Sequence, residues 1–136
     1  MIEKLNEVMI NETSAIKNLL LELENQHKCI VTSDIFGMEA CVGKIKEANK
    51  DIAHMEVQRR KITENMAMGP IIEEAKDPEL EKNFYAIKKL LQAVVLQKDT
   101  NELLIKQGLS FTNRMLNIIN PVRESKTYNG YGKVRR

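Results

Sequence analysis

The sequence predicts an all-α protein: a long antiparallel helical hairpin plus a third long helix, in a coiled-coil-like bundle with a flexible C-terminal tail. Apolar residues recur at alternating spacings of three and four over long stretches, the signature of helices packed along one continuous seam. Charged residues make up 29% of the chain and aromatics 4%, with no Trp, which suits long solvated helices better than a barrel or sandwich. With 136 residues the chain supports one domain with a modest core, placed at 1–120 and followed by a tail at 121–136.

The first helix reads Ile2, Leu5, Met9, Glu12, Ile16, Leu19, Leu23, Gln26, Ile30, seven of nine apolar. At about 1.5 Å per residue it is roughly 45 Å long. It is expected to stop near Val31-Thr32-Ser33-Asp34, because Thr, Ser and Asp side chains capture free backbone N–H groups in turns and N-caps. The tip of the hairpin is placed at 34–37. The second helix reads Met38, Cys41, Ile45, Ala48, Ile52, Met55, Arg59, Ile62, Met66, eight of nine apolar when Cys and Ala are counted. Met68-Gly69-Pro70 is expected to end it, since Pro cannot continue the hydrogen-bond ladder and restricts the residue before it; a loop should follow.

The third helix opens at Asp77 as N-cap, with Pro78 at the first helical position and Glu79 and Glu81 at the positive end of the dipole. It is expected to run to Asn120-Pro121, with Leu80, Phe84, Ile87, Leu91 and Val94 along its first half. Lys98 and Asn101 interrupt the seam, and Ile105, Met115 and Ile119 resume it. Between residues 103 and 119, nine of seventeen are large and apolar. They form two adjoining stripes, Leu104-Phe111-Met115-Ile118 and Ile105-Leu109-Leu116-Ile119. That is wider than one two-helix seam needs, so the stripe either packs within the domain or is an uncovered protein-binding surface.

After Pro121 the chain turns polar and glycine-containing without period, the composition of a flexible tail. The tail holds five basic residues and one acid, net +4, against +2 for the whole chain, so the preceding body carries −2. Five cations without a folded platform would bind nucleic acid only weakly, and a solubilising role is the better reading. Tyr128 and Tyr131 are two of only three tyrosines and are candidates for a docking contact. The longest apolar run, Ala93-Val94-Val95-Leu96, falls far below the roughly 20 residues that span a bilayer. The opening Met1-Ile2-Glu3-Lys4-Leu5 lacks the apolar stretch of a signal peptide, so a reducing cytoplasm is expected.

Catalytic equipment is sparse: two histidines, no glycine-rich phosphate loop and no nucleophile elbow. The paired carboxylates Glu22 and Glu24, and Glu73 and Glu74, fall on expected solvated faces. Glu24 with Lys28 and Glu102 with Lys106 have the i,i+4 spacing of surface support. In a hairpin centred near Ile35, Cys29 and Cys41 could face each other, with His27 nearby. Without a Cys-x-x-Cys or a fourth ligand, packing is favoured over metal or redox chemistry. No cofactor and no enzymatic activity are expected.

Glu24-x-x-x-Lys28 through Asp34 to Lys44, then Asn101-Glu102-Leu103-Leu104-Ile105, Leu109, Asn113 and Leu116, and finally Thr127-Tyr128 with Gly130, resemble the FlgN family of bacterial flagellar export chaperones over essentially the whole chain. The resemblance implies a cytoplasmic chaperone that binds C-terminal helical segments of flagellar hook-associated (hook-filament junction) proteins. It would deliver them to the type III export gate. Client binding would fall to Leu104, Ile105, Leu109, Phe111, Met115, Leu116 and Ile119. Tyr128 would match the family's tyrosine that docks on the cytoplasmic domain of the gate membrane protein, with Tyr131 the alternative. No nucleic acid partner and no direct membrane insertion are implied. A coiled-coil scaffold that self-associates along the seam, or a related secretion chaperone for another client, are the competing readings.

Overall fold

The computed structural model describes residues 1–120; the expectations for the tail at 121–136, Tyr128 and Tyr131 among them, lie outside the described residues. The described chain is all-α, with α1 at Ile2–Val31, α2 at Ile35–Thr63, α3 at Met68–Ala75 and α4 at Pro78–Ile119. It divides into two compact units, Met1–Asn101 and a second that begins at Glu102.

In the first unit the seam read from the sequence is the core. Leu5, Met9, Ile16, Leu19 and Leu23 of α1 are buried with Ala48 of α2, Ile71 of α3 and Leu80, Ile87 and Val94 of α4. Ile45, Ile52, Ile62 and Phe84 pack around them. Leu5, Ile16 and Leu80 are fully excluded from solvent, and burying each such side chain stabilises the fold by about 1.5–3 kcal/mol. In α4 the sequence reading had the wrong leucine in one place. Leu91 is 43% exposed, and Leu90 packs on the core instead.

The hairpin turn comes earlier than expected. Ser33 adopts a left-handed φ of 57°, its N–H donates to the Ile30 carbonyl at 3.2 Å, and the Asp34 N–H donates to Cys29 at 2.8 Å. These two bonds are a Schellman closure of α1. Asp34 then caps α2, its carboxylate accepting the Gly37 N–H at 2.9 Å. The turn therefore sits at Thr32-Ser33, and Gly37, placed at the tip by the sequence reading, lies within the first turn of α2.

The second correction concerns Pro70. α2 ends at Thr63, with Glu64 in the left-handed region as its C-cap, so Met66 falls outside the helix and is 53% exposed. Met68-Gly69-Pro70 does not stop a helix; it begins one. A proline in the first turn occupies a position whose N–H has no intrahelical partner, so its missing donor costs nothing there. Met68, Ile71, Ile72 and Ala75 then form one apolar face of α3 on the core.

α4 opens as the sequence predicts. The Glu79 N–H reaches the Asp77 carboxylate at 3.4 Å, and the Glu81 N–H donates to the Asp77 carbonyl at 3.1 Å. Asp77 also accepts from the Asn6 side-chain amide at 3.0 Å, and Asn83 donates to Asn6 at 3.0 Å. The cap thus ties the start of α4 to the first turns of α1, and it satisfies Asn6, which is only 7% exposed.

Candidate functional site

The residues that break the apolar seams meet one another. Asn101 of α4, 2% exposed, donates to the Leu23 carbonyl at 2.8 Å and to Gln26 at 2.9 Å. It accepts from Gln97 at 2.9 Å, and Gln97 lies 2.8 Å from Nδ1 of His27. A buried amide satisfied on all sides fixes the register of α4 against α1, because a slip would strand its polar atoms.

Glu12 of α1 and Arg59 of α2 form the second such meeting. Arg59 makes two hydrogen bonds of 3.0 Å to the Glu56 carboxylate and lies 3.8 Å from Glu12. Arg60 also reaches Glu56, at 3.5 Å. Burial pushes the Glu12 carboxyl up to about 7; its hydrogen bond to Glu56 and that residue's charge push the same way, with Arg59 opposing. Burial acts to raise Glu56 too, but the hydrogen bonds from Arg59 and Glu12 outweigh it and hold that carboxyl below its ordinary value. The pair therefore shares its charge unequally: below about pH 7 Glu12 keeps its proton beside an ionised Glu56 that Arg59 clamps. Glu12, Glu56 and Arg59 line a cavity of about 230 Å³ with Met9, Met68, Phe84, Ile87, Lys88 and Leu91. A carboxyl shifted this far is a frequent mark of catalysis, but here its partners Glu56 and Arg59 lie on α2 and tie that helix to α1. The sequence reading placed Glu12 on the seam and did not anticipate a shifted acid.

Among the described residues, no group of three His, Cys, Asp or Glu side chains converges as metal ligands, and no helix is long and apolar enough to cross a membrane. Glu22, read as a solvated-face residue, is half-buried, with one carboxylate oxygen closed off from solvent.

The stripe predicted for client binding lies in the second unit, on the α4 segment that starts at Glu102. Leu109 is 61% exposed, Phe111 59%, Met115 41% and Ile119 73%, while Leu104, Ile105 and Leu116 are half-buried. Leu103 and Ile118 add to the exposed apolar surface. Gly108 falls within this segment with open space beside it, and a glycine within a helix costs about 0.5–1 kcal/mol relative to Ala.

A feature the sequence reading missed is an apolar groove of about 580 Å³ lined by Met1, Ile2, Met66, Ala67, Pro70, Ile71, Glu74 and Ala75. It depends on α3, and the four-residue apolar face of α3 was the signal that could have revealed it. The hairpin tip also exposes Val31, Ile35 and Phe36.

Comparison with known proteins places this geometry in a family. Neither the curated proteins nor the solved structures yielded a match. The sequence model of the FlgN protein family, by contrast, matches residues 1–136, the whole chain. The chain, all-α over its described residues and matched from end to end by that model, belongs to the FlgN family of flagellar chaperones.

Proposed function

We propose that this protein is a cytoplasmic export chaperone that binds the C-terminal helical segments of hook-filament junction proteins and brings them to the type III export gate. The observation that carries the reading is the stripe on α4: large aliphatic and aromatic side chains, more than half exposed at Leu109, Phe111 and Ile119, in a chain of a chaperone family. Such a surface is matched by the apolar face of an amphipathic helix, with anchors at helical spacing. The client's own apolar face would be covered in the same step, which is what keeps it from aggregating before export.

In this reading Leu104, Ile105, Leu109, Phe111, Met115, Leu116 and Ile119 form the client surface and Tyr128 is the gate contact. Co-purification from cells expressing a junction protein and the cytoplasmic domain of the gate protein separates the two roles. Leu109→Asp should lose the client and keep the fold, since Leu109 is exposed. Tyr128→Ala should keep the client and lose the gate domain. A Leu109→Asp protein that still retains the client refutes the surface, and a Tyr128→Ala protein that loses both partners gives the tail another role.

A further inference from the structure

The two cysteines sit on either side of the hairpin turn, and the turn itself sets their approach. The Cys29 carbonyl accepts the Asp34 N–H at 2.8 Å, closing α1, and the Asp34 carboxylate caps α2 at the Gly37 N–H. One residue thus ties the last turn of α1 to the first turn of α2. Gly37 leaves room for the Cys29 sulfur: a Cβ at that position would lie 2.6 Å from Cys29 Sγ. Cys41 follows Gly37 by four residues, on the same face of α2. Its side chain is buried, one helical turn along α2 from the Gly37 position against which the Cys29 sulfur lies. His27, the residue that suggested a metal, is engaged by Gln97.

We propose that Cys29 and Cys41 are a redox-active dithiol that closes to an intramolecular disulfide across the hairpin tip. The oxidant is a low-molecular-weight disulfide of the glutathione class. Cys29 is the half-exposed member, so its thiolate attacks one sulfur of the oxidant, and the other sulfur leaves as a thiol after taking up a proton. Cys41 then gives up its proton and attacks Cys29 Sγ, displacing the second thiol. Two protein thiols lose two electrons and two protons, and one small disulfide becomes two thiols. Burial, and after it the neighbouring Cys29, push the Cys41 thiol up, which fits a resolving partner rather than the first attacker. The bond would join α1 to α2 one turn behind the tip and prevent the hairpin from fraying there. The Cys29 sulfur already lies against the face of α2 that carries Cys41, which sets the two thiols on facing sides of the turn, as a disulfide between the helices requires.

The test is equilibration of the full chain in glutathione redox buffers, followed by alkylation and intact-mass measurement. The expected result is a single two-electron transition between a doubly alkylated species and an unalkylated monomer lighter by two hydrogens. A digest should yield one peptide pair linked through Cys29 and Cys41. Cys41→Ser should stop at a glutathione adduct on Cys29, and Cys29→Ser should leave Cys41 a free thiol. A wild-type end product that keeps glutathione on Cys29, disulfide-linked dimers, or two thiols free at the most oxidising ratio would each overturn the proposal.

Discussion

Replacing Glu12 by Gln tests the polar bridge between α1 and α2 through its dependence on pH. The folded-state carboxyl is pushed up to about 7 from an ordinary value of 4.5, so between those values the folded protein holds a proton that the unfolded chain has released. Stability from this group is therefore fully present below 4.5 and is lost as pH rises through 7, the reverse of a salt-bridged acid. At about 1.4 kcal/mol per pKa unit, the shift corresponds to a loss of about 3 kcal/mol between pH 4.5 and pH 8. Glu56 is held below its ordinary value, so its contribution is present above the unfolded carboxylate range and is lost only as pH falls below it. The two effects occupy different windows. Glu12→Gln keeps the shape of the side chain, stays neutral and leaves the two Arg59–Glu56 hydrogen bonds in place. Urea unfolding followed by far-ultraviolet circular dichroism at pH 5.5 and pH 8 should show the wild-type midpoint falling with pH and the variant midpoint nearly constant, with the variant more stable at pH 8. A wild-type midpoint that rises over this window, or a variant that falls as steeply, would show that Glu12 is not a buried acid with a raised pKa.

Three further substitutions probe other parts of the fold and surface. Asn101→Ala removes a buried amide with three hydrogen-bonding partners and should lower the unfolding free energy by about 1–3 kcal/mol, read by urea titration. Leu80→Ala truncates a side chain with no solvent exposure and should cost about 2–5 kcal/mol, enough to lower the thermal midpoint by more than any surface change. Met115→Asp, at a position 41% exposed, should leave the unfolding curve within about 0.5 kcal/mol of wild type while abolishing capture of a junction-protein peptide in a binding assay.

The long helices were legible because each repeats one simple rule many times. The Leu5-to-Leu23 stripe recurs with the helical period, and its burial follows directly from that spacing. Polar seam positions were visible as interruptions, but not as partners: nothing in the spacing says that Asn101 will meet Gln26, since residues 75 positions apart are joined only by the fold. The same holds for Glu12 and Arg59, and a carboxyl shift that depends on both is invisible until they are brought together. α3 was missed for a different reason. Pro70 was read as a stop, but a proline breaks a helix only where its N–H is needed, and the face formed by Met68, Ile71, Ile72 and Ala75 outweighs it. On α4, the period placed Leu109 and Met115 on stripes, but whether a neighbour covered them was a matter of packing.

Whether the α4 stripe receives an amphipathic helix from a client is read by titration calorimetry of the full chain against C-terminal peptides of hook-filament junction proteins. The expected result is saturable one-to-one binding with a negative heat-capacity change, the mark of apolar burial. No heat with any peptide, together with an oligomer that grows with protein concentration, would contradict it and make the protein a self-associating coiled-coil scaffold.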